Sequence, residues 1–417
     1  MKMERMGRWL EDRLPAGAFW RRHFSQYRVP KNLNFWYFFG AVVLFVLLME
    51  GVTGFFMAVH YKPFTGLDAA GMPVAYASMQ SLMHEVPWGW LLRRAHALGA
   101  SALFALIYLH VGRALLYGSY RKPRELVWLF GMALWLLCLV EAFLGRLLPW
   151  SQDGYWATTV VVNLFSGIPL IGADLALWIR GGVAVGEATL GRFFALHVLA
   201  VPLLLLLFIA LHVISVRVVG SGNPDGVDIS LDKMGPDRVA GGLPYHPYFT
   251  VRDLLALLVF LLIFAGLVFF ASDEVLHWLG VMPLIPADPL QTPERIAPAW
   301  YFAPWFAMLR SVHWAAFGID SQFWGGLVVM ASILMLALLP WLDASPVKSI
   351  RYRGPLTKIF LTLLILSYVL LGILGLLPGT PQADLLAKMA SLYYFAFFLL
   401  MPVWTRLDRY QLPSELK

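Results

Sequence analysis

The sequence predicts an all-α membrane protein of eight transmembrane helices with both termini on the cytoplasmic side. Three observations predict it. The 417 residues are 59% hydrophobic and only 14% charged, and the mean hydropathy is +0.69, a composition that a soluble chain of this length does not have. Apolar runs long enough to cross a hydrocarbon core of roughly 30 Å recur along the chain, at 35–60, 90–117, 126–146, 193–216, 253–271, 323–341, 356–376 and 388–405. Cations collect in alternate connections, as the positive-inside rule requires.

The N-terminal segment carries Lys2, Arg5, Arg8, Arg13, Arg21, Arg22, Arg28 and Lys31 and shows no signal-peptide pattern. The connection between spans two and three reads YRKPRE, and the one between spans six and seven carries Lys348, Arg351 and Arg353. The long connection between spans five and six instead holds Asp273, Glu274, Asp288 and Glu294. Spans two and four therefore run in the same direction, from outside to inside. The net charge of +7 is accounted for by these juxtamembrane segments and does not call for nucleic acid. Cys138 is the only cysteine. It excludes an intramolecular disulfide, a cysteine-built zinc site and an iron–sulfur cluster held by this chain alone.

Span two carries His96 and His110, with Arg93 and Arg113 displaced toward the two membrane faces. Span four repeats the pattern with His197, His212 and Arg192. The separations of 14 and 15 residues are about 21 and 22 Å along a helix, close to four turns. Parallel spans then match His96 with His197 near the outside and His110 with His212 near the inside. Each facing pair suits the two axial positions of a heme iron, and outward-pointing propionates would give the arginines charged partners. Gly40 and Gly54 in span one, and Gly131 and Gly145 in span three, share the separation of 14. Side-chain-free backbone at those depths leaves room for a porphyrin. A lone intramembrane histidine commonly serves as a helix–helix hydrogen bond; four at matching depths, beside matching glycines, exceed that reading. A transporter reading would use the intramembrane acids Glu50 and Glu141 instead, and the matched histidines and arginines weigh against it.

Several motifs carry a resemblance: RRAHALGAS, LHVGRALLYGSY, LLPWSQ, GRFFALH, HPYFTVRD, DPLQTPERIAPAWYF and MLRS, in this order. The chain resembles cytochrome b of the quinol–cytochrome c oxidoreductases from about residue 27 to 405. The resemblance implies an N-terminal cytoplasmic segment (1–34), a diheme four-helix bundle with an outer quinol-site segment (35–220), and a four-helix C-terminal part completing the quinone sites (221–417). It implies two b hemes, the outer of low and the inner of high potential, and quinone as substrate. Quinol is oxidised near the outer face, one electron leaving for a Rieske iron–sulfur protein and the other for a quinone bound near the inner face (the Q cycle). The partners it implies are that Rieske protein, a c-type cytochrome, membrane lipid and a second copy of the complex, in a bacterial inner (plasma) membrane. A diheme conduit without a bifurcating outer site is the alternative.

The same resemblance assigns the quinone sites. The outer one is framed by 149–171 and 293–311, with Tyr301 as its aromatic hydroxyl; both segments also read as amphipathic surface helices on the membrane interface. Ala157, after Trp156, stands where fungicide-sensitive relatives carry glycine. Ala299 stands in PAWY where the family most often has a proton-accepting glutamate, which leaves Asp153 and Glu294 as the nearest acids; Glu294 could instead cap the helix that follows. At the inner site Asp253, beside Arg252, takes the place of a quinone-facing acid, or caps span five. Arg217 stands where mitochondrial-type proteins have histidine, or anchors a span end. That arginine, the 15-residue histidine spacing and DGYWA resemble the photosynthetic cytochrome bf branch. Phe38 occupies the position of that branch's heme-attaching cysteine, so no third heme is expected.

Overall fold

The computed structural model describes residues 9, 11–13, 17, 27–228, 242–281 and 283–413. Of the N-terminal cations, Lys2, Arg5, Arg8, Arg21 and Arg22 lie outside the described residues, as does most of the 1–34 segment. Among the described residues, seven helical stretches are long and apolar enough to cross a membrane, and a bent pair makes up to eight.

The first span is α1 (Phe39–His60), preceded by a 3-10 turn at Phe35–Tyr37. A short helix α2 (Val74–His84) leads to the second span, α3 (Gly89–Tyr117), and α4 (Glu125–Leu147) is the third. The stretch 149–171, expected as one surface helix, instead holds α5 (Gln152–Ser166) and the turn into α6 (Gly172–Arg180). The Ser151 hydroxyl caps α5 by accepting from the Gly154 amide at 3.3 Å. Gly172 permits the tight turn: an added Cβ would stand 2.6 Å from the carbonyl oxygens of Phe165 and Ser166.

The fourth span is continuous but not uniform. It runs through α7 (Glu187–Ala195), one π-helical turn (Leu196–Ala200) and α8 (Val201–Val219). Pro202 follows the π turn and has no amide to offer the preceding turn, which favours the change of winding there. Spans five to seven are α9 (Tyr248–Phe270), α12 (Ser321–Leu342) and α13 (Pro355–Leu376). Between five and six lie the short α10 (Asp273–Trp278) and α11 (Ala303–Arg310). The eighth apolar run breaks into α14 (Pro381–Leu399) and α15 (Met401–Leu407), bent by 65°. Pro402, in the first turn of α15, cannot donate to the ladder and forces the bend.

α1 packs along α3, and α4 along α8. The exposed faces of the spans are apolar, as in α9, where Val251, Leu255, Leu262 and Phe270 point outward, a surface that suits lipid rather than water. At the end bearing His110 and His212, the connections are tied by buried charge. Asp343 accepts from Arg353 at 2.5 Å and from the Tyr120 hydroxyl at 2.5 Å. Burial works to raise the Asp343 pKa, but the Arg353 and Arg121 charges and these hydrogen bonds outweigh it and hold the carboxyl below its usual range. A two-stranded ribbon at this end pairs β1 (Arg28–Pro30) antiparallel with β2 (Gly242–Pro244), Val29 opposite Leu243.

Candidate functional site

Four imidazoles form two facing pairs between α3 and the fourth span. The His96 and His197 ring centroids are 6.2 Å apart, and those of His110 and His212 are 6.5 Å apart. Two imidazole nitrogens each about 2 Å from one shared metal ion require ring centroids roughly 6 Å apart, so the separation of each pair would suit one metal ion held between them.

The π turn explains how the 15-residue spacing works. In a regular helix, about 100° per residue, fifteen residues overshoot fourteen by most of a third of a turn. The π turn containing His197 takes up the extra residue, and His197 and His212 return to one face, opposite His96 and His110.

Each glycine of the repeated spacing faces one histidine. A Cβ on Gly54 would stand 3.1 Å from His96 Cε1, and one on Gly40 would stand 3.2 Å from His110 Cε1. On α4, a Cβ at Gly145 would come within 2.6 Å of His197 Cε1, and one at Gly131 within 3.4 Å of His212 Cε1. The nearest atoms to these glycines thus belong to the imidazoles, whose seats the bare backbone provides.

The arginines behave differently from one another. Arg113 lies over the Tyr37 ring at 4.7 Å, with one guanidinium nitrogen 3.5 Å from His110 Nδ1. Its Nε is buried and lacks a hydrogen-bond partner, an orphan donor that fits an anionic group such as a propionate. Arg93 is half-buried in the first turns of α3. Arg192 is exposed and donates to the Trp178 carbonyl at the end of α6. Arg146, in the last turn of α4, also has a buried Nε without a partner; the sequence reading missed it.

At the His96–His197 end, hydrogen bonds join α5 to the chain after α10. The Gln152 amide donates to the Ile285 carbonyl at 2.8 Å, and Gln152 Oε1 accepts from the Asp288 amide at 2.7 Å. Gln152 Nε2 donates to the Gln291 carbonyl at 2.6 Å, and Trp156 Nε1 to that of Asp288 at 3.3 Å. Asp153 and Ala157 are half-buried on α5, each next in sequence to one of these seam residues. Tyr301 stacks on Phe104 at 4.1 Å and 16°, with 7% exposure, and Ala299 is 2% exposed. Burial raises the Tyr301 hydroxyl pKa, the Arg146 charge opposes the rise, and Glu50 adds to it. Glu294 is exposed in an irregular stretch. It does not cap the following helix, since α11 starts after Phe302 without any side-chain cap.

At the opposite end Arg217 lies over the Tyr27 ring at 4.0 Å and 5.7 Å from the Tyr245 centroid. The Tyr245 hydroxyl donates to Asp253 Oδ2, and Arg252 lies over Phe249 at 5.2 Å. Asp253 does not cap α9, whose N-cap is Pro247 without a side-chain bond. Tyr27 and Tyr245 were not singled out from the sequence; the ribbon of β1 on β2 brings them together, their rings 6.2 Å apart. The Tyr245 hydroxyl is pushed well above the ordinary phenol range by burial first, then by Asp253.

Comparison with known proteins points to one family. Residues 24–220 match the family described as Cytochrome b/b6/petB, and residues 286–395 match Cytochrome b(C-terminal)/b6/petD. Cytochrome b of Allochromatium vinosum is 46% identical over 408 residues, covering 96% of this chain and 95% of the relative. Cytochrome b of Rickettsia prowazekii is 40% identical over 408 residues, covering 98% and 95%. A solved structure described as a hyperthermophilic respiratory Complex III superposes with a TM-score of 0.83 at 35% identity, covering 96% of this chain and 98% of that one.

Proposed function

Because the chain belongs to the cytochrome b family, we propose that it is the diheme subunit of a bacterial bc-type quinol–cytochrome c oxidoreductase, running a Q cycle across the inner membrane. The observation that carries the reading is the pair of facing imidazole couples, stacked along α3 and the fourth span and each seated against a glycine. His96 with His197 would hold an outer heme and His110 with His212 an inner one, within a bundle of the first four spans. Bound there, heme supplies one-electron carriers at two depths of the membrane.

The chain's own residues do the rest. α5 and the segment through Tyr301 would frame the outer pocket, with Tyr301 stacked on Phe104. A proton acceptor there must stand within hydrogen-bond reach of the quinol, or one water away, and Asp153, half-buried in the first turn of α5, is the acid assigned to it. At the inner end Asp253 and Tyr245 form a hydrogen-bonded pair that can pass protons to a reduced quinone, with Arg217 and Arg252 supplying positive charge. The match to Complex III supports a Rieske protein and a c-type cytochrome as partners. One observation favours a non-bifurcating conduit as the second reading: buried Ala299 carries no carboxylate at the outer site.

Gentle purification tests the proposal. About two b hemes per chain by pyridine hemochrome, a copurifying Rieske protein and antimycin-sensitive cytochrome c reduction are the expected results. Two hemes without a Rieske protein or a bifurcating activity would favour the conduit. The outer pocket also predicts weak inhibition by methoxyacrylates. Ala157 stands where fungicide-sensitive relatives are expected to carry glycine, and a single added methyl in a tight pocket is felt by a ligand built against bare backbone. Nanomolar inhibition of the purified complex would refute this, and Ala157→Gly should increase sensitivity.

A further inference from the structure

Arg146 closes α4 at the end bearing His96 and His197. It is half-buried, its Nε is buried without a partner, and among the described residues no carboxylate pairs with it. Arg94, Arg180 and Arg310 also carry an unpartnered Nε, but each donates through another nitrogen. Arg94 reaches the Ala271 carbonyl at 2.7 Å, Arg180 the Asn163 side chain at 2.7 Å, and Arg310 the Leu374 carbonyl at 3.0 Å. Arg146 makes no such bond among the described residues. The two intramembrane acids at this end are turned elsewhere. Glu50, between Gly40 and Gly54, and Glu141, between Gly131 and Gly145, repeat one register. Glu50 Oε2 lies 3.1 Å from His96 Nδ1, and Glu141 Oε1 lies 3.1 Å from His197 Nδ1. The local fold sets the Arg146 charge beside the outer pocket. The Arg146 carbonyl lies against Gly154 in the first turn of α5, where an added Cβ would stand 2.1 Å from it. Tyr301 is fixed from α3 by the Phe104 ring and by the Tyr108 hydroxyl, which donates to its carbonyl at 3.2 Å. The Tyr301 hydroxyl makes no hydrogen bond among the described residues, and Arg146 is the strongest charge acting on it.

We propose that Arg146 is a substrate-binding residue of the outer quinol site, whose guanidinium, together with the Tyr301 hydroxyl, takes one quinol oxygen and holds it as the anion when the first proton departs. The inference rests on the quinol-oxidising reading above. A guanidinium stays charged in proteins, and leaving one without an anion at the end of an apolar span is expensive. Its unused donors suit an oxyanion. Buried Ala299, two residues before Tyr301, brings no carboxylate to neutralise it. The quinol O–H bond breaks, its electron pair stays on the oxygen beside Arg146, and the proton goes to the acceptor assigned above. Charge that develops at a fixed cation is stabilised without reorganisation, and the neutral quinol gains much less from it. Arg93, three residues before His96, remains the cation for a heme carboxylate at this end.

Arg146→Gln and Arg146→Lys variants of the purified complex test the proposal, with a short-chain quinol as donor and cytochrome c as acceptor. Arg146→Gln should lower kcat on the order of a hundredfold at about pH 7, the low end for removing one oxyanion donor, and leave KM nearly unchanged. The shortfall should narrow toward about pH 9, where quinol gives up its proton more readily. Arg146→Lys keeps the charge without the planar fork and should stay within about tenfold of the unsubstituted complex. Both b-heme bands and their midpoints should be unmoved in redox titration. Unchanged kcat in Arg146→Gln overturns the proposal. So does a loss that is equal at every pH and equal in the two variants, or failure of both to assemble, since Arg146 would then be a structural brace. An outer-heme midpoint that shifts while the pH profile keeps its shape overturns it as well, and gives the guanidinium to a heme carboxylate. An unsubstituted complex with both hemes that oxidises no quinol would instead sink the quinol-oxidising reading itself.

Discussion

His96→Ala and His197→Ala should abolish the same heme optical band, and His110→Ala and His212→Ala the other, with quinol-dependent cytochrome c reduction falling to background in all four. The pairing follows from the ring positions: His96 lies 6.2 Å from His197 and His110 lies 6.5 Å from His212. A heme held by such a pair would lose one of its two histidine ligands, and the remaining imidazole would face a cavity in an apolar span. Dithionite-reduced minus ferricyanide-oxidised spectra of isolated membranes read the outcome. If His96→Ala and His212→Ala lost one common band and spared the other, the pairing would be wrong.

The glycines extend this result to backbone positions. Gly145→Ala should lose the outer heme almost as completely as His197→Ala, because its methyl would stand 2.6 Å from His197 Cε1. The atoms it meets are the end of the His197 ring, which is fixed through Nδ1 to the Glu141 carbonyl at 3.0 Å, so the helix or the imidazole must shift. Gly131→Ala, at 3.4 Å from His212 Cε1, makes an ordinary van der Waals contact and should keep most of its inner heme. Equal losses in the two variants would mean that these glycines serve the porphyrin or helix packing rather than the imidazole seats.

How much of this was legible in the sequence depended on the range of the interaction. The spans follow from composition and length, which the hydrocarbon core imposes directly, and seven of them sit close to their expected bounds. The eighth bends because Pro402 acts within one turn, a local signal that a hydropathy window averages away. The π turn at His197 left a trace in the fifteen-residue spacing, readable as an inserted residue once span two is set beside span four. Glu50 and Glu141 left a trace too, in the repeated glycine–acid–glycine register, but they read as isolated acids until the rings beside them were located. Tyr27 and Tyr245 gave no comparable sign. They meet through a ribbon joining the chain before span one to the chain before span five, and neither short strand carries a period that would announce its partner. The two capping alternatives failed for a simpler reason: Glu294 lies well ahead of α11, and Asp253 lies inside α9 rather than at its start.

Asp153→Asn should slow quinol-dependent cytochrome c reduction by at least about tenfold, within the usual range for losing a general base. Quinol cannot give up its electrons without surrendering protons, and Ala299, 2% exposed, can accept none. The need for an acceptor therefore moves to a neighbouring group. Of the two acids nearest in the sequence, Asp153 is the less exposed. It sits half-buried in the first turn of α5, where Gln152 fastens the helix to Ile285, Asp288 and Gln291 on the facing segment. Glu294 is exposed, so Glu294→Gln should cost less than Asp153→Asn. Restoring the acid should recover much of the lost rate, and Gly280 lies opposite the position: a Cβ added there would stand 3.9 Å from the Ala299 Cβ. Ala299→Glu in the Asp153→Asn background is thus the rescue variant, its added atoms costing about 1–3 kcal/mol of packing against a recovered proton acceptor. The pH profile separates a base from a structural brace. A lost base makes the rate climb with pH as quinol deprotonation becomes easier, whereas a lost brace lowers the rate equally at every pH. Full turnover in both single variants and the double variant from about pH 6 to about pH 9 would end the case for either acid and assign the proton to water or a partner subunit.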